Sequence, residues 1–242
     1  MGVILKMSPR FLPLQSIPQT YMTVEHVVPS IAEESVLKEE IVSEETLEQQ
    51  ILTFPIYQHF IDLYEEFTST NKKTLDVVER LYPNLTGATL SGPHKIAYRS
   101  KTLYFIDDYH FQYNEITEPD DHDNYSITFL QLGDALSGHR GIVHGGLLAT
   151  LLDELTCRVG FLNFESKRGV TANLNVNYKK PTKVDSWVCI KCTVLKKLGR
   201  KCWVKGDVYL IDETKKSFEE CELLTACEVL IVEPKWVDQL KH

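Results

Sequence analysis

The residues of this 242-residue chain best suited to chemistry lie in Gly138-His139-Arg140-Gly141-Ile142-Val143-His144-Gly145-Gly146 and in the apolar run that follows it to Asp153. Two glycines opening a helix leave backbone N–H groups bare at its positive end, where they can bind a developing oxyanion. Glycine also lets a ligand approach the backbone closely. Asp153 stands among Leu151, Leu152 and Leu155. A carboxylate there is costly unless it is solvated, paired or used. An ordinary capped helix with a partly exposed acid has the same sequence, so this stretch alone does not decide. Glu154 lies about 100° further around the helix and is expected to face solvent or form an ion pair.

Downstream, Thr171-Ala172-Asn173-Leu174-Asn175-Val176-Asn177-Tyr178 alternates. The period predicts Thr171, Asn173, Asn175 and Asn177 on one strand face and Ala172, Leu174, Val176 and Tyr178 on the other. A face of one threonine and three asparagines is a poor strand former. It suits either solvent or the lining of a site, and its place after the acid-bearing helix favours the lining. His144 can hold the loop by hydrogen bonding or serve as a base. His139 and Arg140 could meet a phosphate. Cys157, one turn after Asp153, reads as core rather than nucleophile. A serine hydrolase is disfavoured, because no G-x-S-x-G elbow is present. Cys189 and Cys192 form a C-x-x-C without a second pair, so no metal site is expected. The six cysteines read as buried, reduced thiols rather than a disulfide framework.

The elements that must position these residues follow from the periodicity. Ser43 can cap a helix over 44–52, with Leu47 and Ile51 at i, i+4. A second helix is expected near 57–67 and a third over 75–81, ended by Pro83. Residues 86–95 carry two glycines and a proline and read as a linker. Strands are expected near 99–107, 109–116 and 124–132, then turns over 133–141. His144–Phe161 is a long apolar helix, and strands follow near 170–179, 186–197, 201–212 and 218–232. Strands, one buried helix, then an antiparallel meander make an α+β chain of the hotdog kind: a long central helix wrapped by a curved antiparallel sheet, with a helical N-terminal extension. The divisions are 1–40, disordered or targeting; 41–95, an acidic helical extension and linker; and 96–235, the hotdog domain.

Charge narrows the partners. Eleven acids and one base, Lys38, fall between Glu25 and Glu66, so that segment carries -10 of the net -8 and the remainder is about +2. No basic stripe is present to displace counterions, which argues against nucleic acid. No apolar run reaches the roughly 18 residues of a membrane-spanning helix. Residues 1–24 hold Lys6 and Arg10 and no acid, a pattern that suits a mitochondrial transit peptide, with a disordered cytoplasmic N-terminus as the alternative.

His144-Gly145-Gly146 with Asp153 nine residues after the histidine resembles the acyl-CoA thioesterases of the hotdog superfamily, of the phenylacetyl-CoA thioesterase type. It is more similar still to the animal mitochondrial long-chain enzymes called thioesterase superfamily members four and five. Val170 to Pro181 is similar to their strand after the central helix, and Leu198-Gly199-Arg200-Lys201 resembles their next hairpin. The resemblance covers roughly residues 95–235. It implies an acyl-CoA thioesterase in which Asp153 is the catalytic acid and Gly145 the oxyanion-binding glycine. It implies further that Thr171 holds the water or the acid, and that Asn177 and Lys201 contact coenzyme A. His144 and Gly146 complete the candidate site, and no metal or redox cofactor is implied. Some of these relatives carry an asparagine six residues before the histidine; here that position is Gly138.

Eight residues of helix separate Gly145 from Asp153, about 12 Å. If both act on one thioester carbonyl they come from different chains, so catalysis implies a homodimer or a dimer of dimers. The rival readings are a non-catalytic acyl-CoA or lipid binder on the same fold, a hotdog dehydratase or hydratase, and an interaction protein working through its acidic segment.

Overall fold

The computed structural model describes residues 42–70, 85–107, 110, 112, 114–117 and 124–240. The expectations for residues 1–40 and for a helix over 75–81 lie outside the described residues.

Helix α1, Glu44–Ile51, begins where Ser43 turns extended and its Oγ accepts the Thr46 N–H, with Glu44 and Glu45 in the positive first turn. Its buried residues are Leu47 and Ile51. Helix α2 spans Pro55–Thr70. Pro55 starts this helix rather than merely breaking the one before it, since a first-turn proline loses no helical hydrogen bond. The stretch expected to be a linker contains a single wide helical turn, Leu85–Thr89.

Seven strands form one antiparallel sheet in the order β1-β3-β7-β8-β9-β6, with β2 also on β3. They are β1 Ile96–Arg99, β2 Leu103–Ile106, β3 Asn124–Leu132, β6 Val170–Tyr178, β7 Ser186–Leu198, β8 Lys201–Ile211 and β9 Glu222–Val232. Two short strands, β4 Ser137–His139 and β5 Ile142–Val143, pair beside it. Of the strand expected over 109–116, an isolated bridge from Ile116 to Lys197 is present, and residues 109, 111 and 113 lie outside the described residues. The last strand starts at Glu222 rather than 218, because Phe218–Glu220 coil into a 3-10 turn. The β7–β8 turn uses Gly199 at φ +51, in the left-handed region where a side chain is strained.

The central helix α3 spans Gly145–Leu162. It buries Leu148, Leu151, Leu152, Leu155 and Val159 against the sheet's inner face, on Val188, Ile190, Val204, Val229 and Ile231. A second core lies on the outer face. There Leu47, Ile51, Phe54, Ile56 and Phe60 of the N-terminal helices meet Phe105, Ile127, Phe129, Trp187 and Ile211. Strand β3 runs between the two cores, so all nine of its residues are buried. The division expected between 95 and 96 is thus crossed by a core: α1 and α2 form an outer layer of the same sheet.

Candidate active site

The two neighbouring acids of α3 point to opposite flanks of the sheet. Thr171 Oγ1 donates to Asp153 Oδ1 at 2.6 Å, which ties the Asp153 flank to the edge strand β6. Glu154 turns toward β1. Arg99 Nη1 stands 3.6 Å and Arg158 Nε 3.7 Å from its Oε1, and Thr86 Oγ1 donates to its Oε2. The Glu154 side chain is 10% exposed, so of its two expected surroundings the ion pair is the one present. An acid paired to two guanidinium groups is held as a structural counter-ion. Asp153 has no cation among these contacts and keeps an accessible carboxylate.

Thr171 reaches Asp153 because β6 breaks its alternation. Thr171 pairs with Ile231 and Asn173 with Leu230, so Ala172 is an extra residue between them. Beyond this bulge Leu174 pairs with Val229 and Val176 with Cys227, which face α3, whereas Asn175 pairs with the exposed Glu228. The single face expected for Thr171, Asn173, Asn175 and Asn177 is therefore corrected. Thr171 lies on the helix side, and the three asparagines lie on the outer side. A bulge shifts the phase of a strand by one residue and exchanges its faces.

The opening of α3 is built around the His144 ring. His144 is the N-cap residue, and its Nδ1 accepts the Gly146 N–H at 2.9 Å. That bond requires an unprotonated Nδ1. A Cβ on Gly146 would stand 2.9 Å from this ring, and one on Gly138 would stand 2.9 Å from its Cδ2 and 3.0 Å from the His144 Cα. Both glycines are thus the space the ring occupies. An asparagine at 138 has no room beside this histidine without a shift. Tyr178 closes the other side. Its hydroxyl donates to the Gly145 carbonyl at 2.8 Å, and its ring lies 3.3 Å from where a Gly145 Cβ would be. The Gly145–Gly146 peptide is held at both ends, while no acceptor among the described residues takes the Gly145 N–H. A cleft of about 620 Å3 opens here, lined by His139, His144, Gly145, Tyr178, Lys179 and Lys180 among others.

One chain brings together Asp153 with Thr171, and separately His144, Gly145 and Gly146 with Tyr178. It does not bring the two groups together, since they sit at opposite ends of β6. Asn177 and Lys201 are further apart. Asn177 lies in register with Ala226 and Asp207, and Lys201 with Val232 and Val170, a separation of six residues along β9 or about 20 Å. The sequence carries no signal that Tyr178 packs on Gly145. Its alternation placed it on the helix side, but nothing local indicates which carbonyl it reaches.

Cys189 is fully buried in the outer core and Cys192 in the inner one. Three-residue spacing on a strand sends the two thiols to opposite faces, so they cannot share an ion. Burial pushes the thiols of Cys157, Cys202 and Cys227 up to about 12.

Residues 140–215 match the family described as the thioesterase superfamily. The chain is 36% identical over 117 residues to an "Uncharacterized protein, mitochondrial" of Candida albicans (strain WO-1), which covers 48% of this chain and 52% of that protein. It is 44% identical over 75 residues to "MIOREX complex component 3" of Saccharomyces cerevisiae, covering 31% of this chain and 28% of that protein. It is 38% identical over 88 residues to "Acyl-coenzyme A thioesterase THEM4" of Mus musculus, covering 36% and 37%. The chain thus spans about half the length, or less, of the curated relatives it matches. The matched segment carries the glycine-rich opening of α3, Asp153, the bulged strand β6 and the β7–β8 hairpin, and over those residues the chain is similar to the thioesterase superfamily.

Proposed function

We propose that the chain hydrolyses acyl-CoA thioesters to a free fatty acid and coenzyme A. The observation that carries this reading is the hydrogen bond from Thr171 to Asp153. It orients a carboxylate that has no ion-pair partner among the described residues, at the edge of the sheet. Asp153 takes a proton from a water whose oxygen attacks the thioester carbonyl; the C–S bond then breaks and the proton passes to the leaving thiolate. Alternatively, Asp153 attacks the carbonyl itself and water cleaves the resulting anhydride. In either route the carbonyl oxygen gains charge and needs a donor, which is the role given to the Gly145 N–H.

Within one chain that N–H is about 12 Å of helix away from Asp153. The reading therefore pairs Asp153 of one chain with Gly145 of a second, in a homodimer or a dimer of dimers with the unpaired edge of β6 at the interface. Lys201 and Asn177 are given to coenzyme A, Lys201 as a point charge for a phosphate. The mouse relative is named an acyl-coenzyme A thioesterase and the Candida relative mitochondrial, which supports the same activity here and a mitochondrial location. No helix among the described residues is long and apolar enough to cross a membrane.

The test is hydrolysis of a panel of acyl-CoAs of increasing chain length by the wild type, Asp153→Asn and Glu154→Gln. Asp153→Asn keeps the shape and removes the charge, so turnover should fall by about a hundredfold or more while binding persists. Near-wild-type turnover in Asp153→Asn overturns the mechanism. Loss confined to Glu154→Gln transfers the role to that residue.

A further inference from the structure

Cys157 lies one helical turn beyond Asp153 and is 8% exposed. Its Sγ stands 3.1 Å from Thr171 Oγ1, the atom that donates to Asp153 Oδ1 at 2.6 Å. The directions of these two bonds follow from proton counting. A threonine hydroxyl has one proton and two lone pairs. An ionised carboxylate only accepts, so the Thr171 proton is spent on Asp153. What the hydroxyl offers Cys157 is a lone pair, and the thiol must be the donor. Burial pushes the thiol up to about 12, so it retains that proton under ordinary conditions.

We propose, building on the thioesterase reading above, that Cys157 is a positioning residue: its S–H donates to Thr171 Oγ1 and commits the single Thr171 proton to Asp153. Three side chains then form one directed line, thiol to hydroxyl to carboxylate. Without the thiol, Thr171 is free to rotate and to present its proton to water or to a backbone carbonyl, and Asp153 loses its orientation for part of the time. A donor feeding a donor also strengthens the second bond. Cys157 does not touch the thioester and is not the nucleophile. Its thiol is protonated and enclosed by the helix and the sheet, and it stays so throughout turnover.

The effect should appear in turnover rather than in affinity. Cys157→Ala should lower kcat on acyl-CoA about three- to tenfold, the worth of one neutral hydrogen bond, with KM unchanged. Cys157→Ser keeps a donor at the same place and should restore most of the loss. In a Thr171→Val background, Cys157→Ala should cost nothing further, since the line is already cut. An infrared readout is independent of turnover. The S–H stretching band of Cys157, identified by its disappearance in Cys157→Ala, should move to higher frequency in Thr171→Val. Four results overturn the inference: undiminished kcat in Cys157→Ala, a Cys157→Ser variant as slow as Cys157→Ala, a loss that persists undiminished in the Thr171→Val background, or an S–H band that ignores Thr171→Val. If the wild type hydrolyses no acyl-CoA, the thioesterase reading falls and this role falls with it. An active wild type with any of the four results removes the role of Cys157 alone.

Discussion

Gly138 shows how the absence of a side chain can set up a site. The His144 ring lies where a Gly138 Cβ would be and, on its other side, where a Gly146 Cβ would be. It uses that position to cap α3 by accepting the Gly146 N–H. Replacing Gly138 with the asparagine carried by some proteins that this sequence resembles should therefore not improve the proposed thioester hydrolysis. The new Cβ, with the His144 Cα 3.0 Å away, must displace the ring and release the cap. Gly138→Asn should lower stability by about 1 kcal/mol, the usual worth of a capping bond, measured by urea denaturation. It should lower thioester turnover rather than raise it. Wild-type stability in this variant would show that the loop yields instead of the ring. At this scale the sequence was informative about residue type and weak about partners. The helix opening, Asp153 and Glu154 are legible because each is an exception on an apolar, helix-period background. The Tyr178–Gly145 and Cys157–Thr171 contacts join residues 33 and 14 apart in sequence; no local pattern encodes them.

The elements divide in the same way. Helix α3 and strands β6 to β9 were readable, because long runs with a steady period leave little choice of type. The bulge at Ala172 was not, because it is fixed by the pairing of β6 with β9 and not by the composition of β6. Strand β3 shows the opposite difficulty. Its residues Asn124 to Phe129 alternate polar and apolar, which marks the strand but suggests one solvated face, whereas Ser126 and Thr128 are buried as well as Ile127 and Phe129. The outer core also came from outside the sheet's own pattern. Residues 41–95 read as an acidic helical extension and linker outside the hotdog domain, yet the apolar sides of α1 and α2 close the outer face. This predicts a separation of stability from chemistry. Ile56 is fully buried in the outer core, with the sheet between it and Asp153. Ile56→Ala should cost about 2–5 kcal/mol in denaturant titrations. The kcat of the folded fraction should stay at the wild-type value. A matching loss of turnover below the unfolding transition would mean that the outer layer reaches the site through the sheet.

At the scale of the whole molecule the question is how many chains make one site. Within a chain, α3 is fastened to the same edge strand at its start and at its middle, Gly145 through Tyr178 and Asp153 through Thr171. Gly145 and Asp153 cannot approach one another without breaking these contacts and the helix between them. One thioester served by both therefore needs two chains arranged about a two-fold axis, each giving its Gly145 to the other's Asp153. Complementation tests this directly. An Asp153→Asn chain and a Gly145→Val chain are each expected to be inactive, the second because its side chain displaces the exposed Tyr178 ring and covers the N–H. Mixing and re-annealing them produces hybrid dimers in which one of the two sites unites an intact Asp153 with an intact Gly145, and the other site carries both defects. With random pairing, roughly half of the dimers are hybrids with one working site of two, so activity should return to roughly a quarter of the wild type. Native mass spectrometry counts the hybrids in the same sample. Hybrids present without any recovered turnover would show that the two residues do not meet across an interface, and the shared site would have to be abandoned even if Asp153→Asn alone proves inactive.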